Sequence, residues 1–323
     1  MFTVGLGPAA NSAFAITTMA IAVPTGVKIF NWIATLWGGS ISIKTPLLFA
    51  VGFVSMFIIG GLSGVMHASP PTDAQQQDTY FIVAHLHYVL FGGAIFAIFA
   101  GIYYWWPKMT GKFLDEKLGQ IHFWVMFIGF NITFFPMHFL GMDGMPRRIH
   151  TYESAMGWDM WNLVSTAGSW IIGLSALMFL HIVFKSIRKG KIAGNDPWDA
   201  RTLEWSIPSP PPEYNFKVIP TVHSRDAWWE TKYGEGAVLD HGNLVDATES
   251  EEDGHHGIHM PGLSYYPLLV AAGLTLGGYG VVFADSVTWA MAAIGGIIAM
   301  MGVYAWSFEP ASEPQMDEDS KQH

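Results

Sequence analysis

Seven apolar runs, each long enough to cross a hydrocarbon core, leave this chain very few ways to fold. They fall at about 12 to 38, 46 to 67, 79 to 106, 119 to 140, 160 to 184, 263 to 284 and 286 to 307. A helix needs about 20 residues to span the bilayer core. Only helices and closed barrels satisfy their backbone in lipid, and these runs lack the two-residue alternation of barrel strands. An all-α polytopic transmembrane bundle of about seven spans is therefore expected. With 13% charged residues, the chain falls well below the roughly 25% of a soluble domain.

Basic residues orient the bundle. Lys44, Lys108, Lys112, Lys117, Lys185, Arg188, Lys189 and Lys191 share one side, and Arg147 and Arg148 alone occupy the other. The positive-inside rule makes the first side cytoplasmic, with Met1 outside and the C-terminus inside. The opening "MFTVGLGPAANSAF" lacks the basic start and cleavage site of a signal peptide. With no cysteine there is no disulfide and no thiolate metal site. The net charge of −10 gathers in late acidic stretches, and nothing points to nucleic acid.

Three parts follow in order. Residues 1–190 carry five spans, residues 191–262 form a Pro-rich and acidic cytoplasmic linker containing "SIPSPPPEYNF", and residues 263–323 form a two-helix membrane hairpin with an acidic tail. Consecutive prolines stop a helix. The hairpin is rich in Gly, Ala and Met, which suits close packing. The cluster "DGHHGIH" near residue 255 is a weak metal candidate within the linker.

Chemistry concentrates in "YFIVAHLHYVLFGG". Residues two apart on a helix point about 200° from each other, so His85 and His87 address different objects. Intramembrane histidines are functional candidates, and a flat cofactor such as haem on each side of the helix would use one imidazole apiece. The alternative is a hydrogen bond from each ring to a neighbouring helix. Both rings lie about 8 to 12 Å below the outer surface. The outer loop "GMDGMPRRIHTY" holds Arg147 and Arg148, whose forks match carboxylates such as haem propionates, or lipid phosphate. Lys28, in "AIAVPTGVKIFNW", lies roughly 15 Å from the cytoplasmic end of its run. It either snorkels to water or relays protons, with Thr25 on the same face and Pro24 freeing a carbonyl. His122, His138 and His181 read as structural, and Trp105, Trp106 and Trp158 as belt residues at the membrane interface.

The segments "MFTVG", "IAVPTGVKIFNWIATLWGG", "DTYFIVAHLHYVLFGG", "IHFWVMFIGFNITFFPMHFLGMDGMPRR" and "WNLVSTAGS" closely resemble subunit I of the haem-copper terminal oxidases, the cytochrome c oxidase type. The first five spans look like that family's helices VIII to XII. The resemblance implies two haems of type a, His85 on the high-spin haem iron and His87 on the low-spin one. It places Arg147 and Arg148 at the propionates with Asp73 nearby, Lys28 and Thr25 on a proton path, and Asp78 at a magnesium site. The implied reaction is reduction of dioxygen to water with electrons from cytochrome c, coupled to proton pumping. The implied partners are the N-terminal half of subunit I, oxidase subunits II and III, cytochrome c and the lipid of a prokaryotic cell membrane.

Departures qualify the match. Gln77 replaces a histidine beside Asp78 and weakens the magnesium site. Leu86 replaces an aromatic between the two histidines. The family's first seven helices, with the copper ligands and the second axial histidine of the low-spin haem, are absent from this chain, so Met1 reads as an internal methionine of a longer polypeptide. A quinol oxidase subunit and a non-catalytic membrane scaffold or haem-binding assembly subunit are the alternatives.

Overall fold

The computed structural model describes residues 2–216, 219–222, 224–234, 239–240, 243–244, 264–283 and 286–309. Its long elements are α1 (Gly7–Leu36), α2 (Thr45–Ala68), α4 (Tyr80–Leu90) continuing through a π turn at Phe91–Ile95 into α5 (Phe96–Thr110), α6 (Glu116–Phe134) and α8 (Asp159–Lys189). Short helices α3 (Pro70–Gln76) and α7 (Pro136–Met142) follow the C-terminal ends of α2 and α6, and α9 (Ala227–Tyr233) follows α8. Leu239–Asp240 pairs with Asn243–Leu244 as the only strands among the described residues. Among the described residues, six helices are long and apolar enough to cross a membrane. The remaining apolar run forms α10 (Tyr266–Phe283), a shorter helix followed by α11 (Ser286–Ser307).

Local chemistry sets the ends. The Thr79 hydroxyl caps α4 by accepting from Phe81 N at 3.2 Å, and the Asp115 carboxylate caps α6 by accepting from Leu118 N at 3.0 Å. Glu116 reaches across to cap another helix, accepting from Thr45 N of α2 at 2.8 Å. Gly111 closes α5 with φ +71°, a conformation that glycine adopts without cost. Pro136 stands at the start of α7, where its missing N–H is harmless.

The core lies between α2, α4, α5, α6 and α8, and it is aromatic. Phe49, Phe96, Phe130 and Tyr88 are fully buried, and Phe123 meets Phe49 edge to face at 5.2 Å. The Tyr88 hydroxyl donates to Asn131 Oδ1 at 2.8 Å, so the one polar tip among these rings is satisfied. Beside the core α1 is different, because Ala15 is its only buried residue. The second compact unit holds α10 and α11, which cross where Gly273, Gly277 and Gly280 face Ala292, Gly295 and Ala299. A side chain at Gly280 would collide with the Ala292 backbone, the close approach that small residues permit in lipid.

The stretch after α8 packs back on the spans. Lys108, read from sequence as a loop cation, is 5% exposed and donates to Ile207 O at 2.6 Å and Asn195 O at 3.0 Å. Trp198 stacks on Tyr104 at 5.9 Å and Trp205 is fully buried. Trp106 donates to Ser186 Oγ at 2.9 Å, and Trp158 is buried against Leu140 and Met145. Residues 195–208 and 227–233 thus form a collar at the Lys108 end of α5. Lys232 ties it, donating to Asp196 at 2.8 Å, Asp199 at 2.6 Å and Ala200 O at 2.7 Å.

The Lys232 bond holds the Asp199 carboxyl below the usual carboxylate range. A depressed folded-state value stabilises above the ordinary carboxylate value, about 3.9, and that contribution is lost as pH falls through the lower folded value. Cleavage by trypsin at Arg201 is expected to be slow at neutral pH and fast in the Lys232→Met variant. Equal rates in the two proteins would show that the tie does not hold the collar.

Candidate functional site

Both histidines of α4 lie where the 100° helical step puts them, on opposite sides. The His85 ring faces α2. Its Nδ1 lies 3.0 Å from Gly60 O and 2.8 Å from Ser63 Oγ, and the serine hydroxyl itself donates to Gly60 O at 2.9 Å. The His87 ring faces α6, stacked on Phe134 at 4.1 Å, with Nδ1 at 2.7 Å from Val83 O. A carbonyl only accepts, so each Nδ1 carries the proton and each Nε2 keeps a bare lone pair. Neither Nε2 has a protein partner among the described residues. This is the tautomer and orientation that metal-binding histidines receive from a backbone carbonyl.

Space for the His85 ring comes from α2. A Cβ at Gly64 would stand 3.1 Å from His85 Cε1, so the glycine lets the ring lie close. His67 meets His85 edge to face at 4.8 Å, and both of its ring nitrogens are buried without a partner. His138 bonds Phe135 O at 3.1 Å and packs against Phe81 at 5.0 Å. Sequence reasoning singled out neither Ser63 nor His67. The glycines Gly60 and Gly64, four apart and so on one face of α2, were the available signal.

The N-terminal end of α4 is locked to the arginine loop. Thr79 bridges Pro146, Tyr80 N donates to Met145 O at 2.9 Å, and Arg147 N donates to Asp78 O at 2.8 Å. Arg147 also grips Asp78 Oδ1 through Nε and Nη2, each at 2.7 Å. That bond holds the Asp78 carboxyl below the usual carboxylate range. Both Asp78, at φ 59°, and Arg148, at φ 69°, adopt the left-handed region, uncommon for residues with a side chain and concentrated at functional sites. Arg148 is exposed. Asp73 stands apart on α3, bonded to neither arginine, and burial raises its carboxyl. Among the described residues no three His, Cys, Asp or Glu side chains gather into a metal cluster.

Lys28 and Thr25, three residues apart, share one face of α1. Thr25 Oγ1 donates to Ile21 O at 2.9 Å, and Lys28 Nζ lies 5.6 Å from the Trp32 ring. Lys28 is exposed, as are Val23, Val27 and Phe30 on the same helix. The cluster near residue 255 lies outside the described residues.

The family model described as "Cytochrome C and Quinol oxidase polypeptide I" matches residues 1–171. The chain belongs to that family. Cytochrome c oxidase subunit 1 of Bacillus sp. (strain PS3) is 48% identical over 304 residues, covering 94% of this chain and 48% of the relative. The Bacillus subtilis (strain 168) protein of the same name is 45% identical over 295 residues, covering 91% and 46%. Quinol oxidase subunit 1 of B. subtilis is 43% identical over 304 residues, covering 93% and 44%. The chain therefore spans about half the length of the curated relatives it matches. A solved structure of a heme-copper terminal oxidase dimer is similar in fold, with a TM-score of 0.53 and 18% identity over 59% of this chain and 39% of that one. The family and the apolar helices together make this a multi-pass membrane protein. All four residues of the family-like set on α4 and its loop, His85, His87, Arg147 and Arg148, fall within the matched range.

Proposed function

We propose that this chain is part of the catalytic subunit of a terminal respiratory oxidase, with His85 binding the iron of the oxygen-reacting haem and His87 that of the electron-delivering haem. One observation carries this reading. Two imidazoles on opposite sides of α4 each give Nδ1–H to a backbone carbonyl and keep Nε2 free. The orphaned nitrogens of His67 beside His85 also fit a site completed by a further group. When bound, two type a haems and a copper held by the rest of subunit I would supply electron transfer and the reduction of dioxygen to water.

The chain's own residues position and supply that centre. Val83 O fixes the His87 ring, and Gly60 O with Ser63 fixes the His85 ring. Asp78 orients Arg147, leaving the exposed Arg148 fork for a propionate. The free oxygen of Asp78 and the amide oxygen of Gln77 are the groups this chain offers to a magnesium ion, and Asp73 lies near the propionates in this reading. Lys28 with Thr25 feeds protons from the cytoplasm, coupled to proton pumping. A cation facing hydrocarbon is costly, so exposed Lys28 favours a covering set of helices, the N-terminal half of subunit I. Subunits II and III complete the assembly in a prokaryotic cell membrane, with Met1 outside and the C-terminus in the cytoplasm.

Cytochrome c is the donor in this reading, following the names of the two relatives at 48% and 45% identity. A quinol donor is the second reading, favoured by the relative at 43%. Oxygen consumption by the purified complex, driven in turn by reduced cytochrome c and by a quinol, separates them. A complex that carries no haem in its pyridine haemochrome spectrum refutes both and leaves a non-catalytic scaffold.

Lys28→Met is expected to slow anaerobic reduction of the oxygen-reacting haem by about 100-fold, the usual scale for losing a positioned proton donor. The resting haem spectrum should not change. An unchanged reduction rate in stopped flow would remove Lys28 from the proton path.

A further inference from the structure

A cavity of about 1050 Å³ opens at the N-terminal ends of α2 and α6 and the C-terminal ends of α5 and α8, the side assigned to the cytoplasm in the proposed reading. It exceeds the usual range of small-ligand pockets, about 300 to 1,000 Å³. It belongs to neither the histidine site nor the proton path. Its walls divide by chemistry. The membrane side is apolar, built from Leu47, Ala50 and Phe53 of α2 and from Ala97, Ala100 and Gly101 of α5. Small residues on α5 make that wall a groove, and a Cβ at Gly101 would already touch the Trp105 ring at 3.4 Å.

The aqueous side is cationic. Lys44, Lys117, Lys185, Lys189 and Lys191 line it, against only Asp115 and Glu116. Both carboxylates are already engaged. Asp115 is paired with Lys185 at 2.5 Å, and Glu116 accepts from Thr45 N at 2.8 Å and Gln120 Nε2 at 3.0 Å. Lys44, Lys117, Lys189 and Lys191 are exposed and have no bonded partner among the described residues. Four unpaired ammonium groups at the mouth of an apolar groove need an anion that carries hydrocarbon.

We infer that this cavity binds an anionic phospholipid, its phosphate among Lys44, Lys117, Lys189 and Lys191 and an acyl chain along the groove between α2 and α5. Basic pockets between spans on the cytoplasmic side are suited to anionic headgroups. Hydrocarbon on the groove wall favours the lipid over a soluble phosphate. The charge pattern favours an anionic over a zwitterionic head.

The test is native mass spectrometry of the purified, haem-loaded complex, delipidated and titrated with palmitoyl-oleoyl phosphatidylglycerol. The site should retain this lipid and not the phosphatidylcholine of the same chains. In the combined variant Lys44→Gln, Lys117→Gln, Lys189→Gln and Lys191→Gln, affinity should fall on the order of 1,000-fold. Arg188→Gln, a neighbouring cation outside the cavity lining, should leave it unchanged. The quadruple Lys→Arg variant should bind like the parent, and Ala97→Leu should weaken binding by filling the groove while leaving the lysines in place. An intact haem spectrum shows that each variant is folded. Equal retention of phosphatidylcholine overturns the proposal, as does undiminished binding by the quadruple glutamine variant. Displacement by inorganic phosphate alone would make this a free-anion site and overturn it too, and so would a neighbouring protein segment crosslinking into the groove.

Discussion

In the proposed oxidase, replacing His85 with alanine is expected to abolish the high-spin haem signal while leaving the low-spin signal. His87→Ala is expected to do the reverse. The separation follows from geometry, because the two Nε2 atoms sit on opposite sides of α4 and are fixed by different carbonyls, Gly60 O and Val83 O. Removing partners that merely orient a ligand commonly costs 10–100-fold, so loss of the ligand itself should lower oxygen consumption by more than about 100-fold. Ser63→Ala tests the orienting layer. It removes the hydroxyl 2.8 Å from His85 Nδ1 but keeps the Gly60 carbonyl, and a fall of about tenfold is expected. Optical difference spectra and oxygen electrode traces check all three. Coincident loss of both haem signals from His85→Ala alone would contradict independent ligation.

Gly141→Val should cause the second large effect, on the integrity of the site. A Cβ at Gly141 would collide with the backbone nitrogen of Phe81, the second residue of α4. Backbone cannot rotate away as a side chain does, so α7 would have to move off α4. Overpacking of this kind costs typically about 1–3 kcal/mol and sometimes more. The displacement would reach the Thr79 to Pro146 bridge and the Arg147 to Asp78 ion pair, since both hang from the same junction. Thermal unfolding followed by circular dichroism in detergent should show a clear fall in midpoint, with arginine-loop proteolysis rising alongside. A variant that melts like the parent would mean the α4 to α7 contact is not tight.

What could be read in advance was whatever depends on periodicity. The opposite faces of His85 and His87 follow from a fixed rotation per residue, and helices follow from apolar length in lipid. Residues joined across long sequence separations were not legible. Lys108 looks like a loop cation because its neighbours in sequence end a span, yet its acceptors, at Asn195, Ile207 and Pro208, lie far down the chain. Ser63 carries no mark of its position beside a ring on another helix. Trp158 resembles an interfacial tryptophan until Leu140 and Met145 close over it. The arginine loop falls between these cases. Its residue types announce anion binding, but the pairing of Arg147 with Asp78 depends on two backbones meeting at Thr79 and Pro146.

The π turn at Phe91–Ile95 splits one membrane span into two halves of different phase. A π turn adds a residue to the helical repeat, and each residue is about 100° of rotation. The outer half can therefore aim its imidazoles at α2 and α6, while the inner half aims Phe96 and Tyr103 into the aromatic core and Lys108 into the collar. The turn sets a fixed offset between them, and Tyr88 before it and Phe96 after it still enter one aromatic core. One span can thus place its histidines and its collar-end lysine on neighbours that an unbroken α-helix of the same sequence would meet at a different angle.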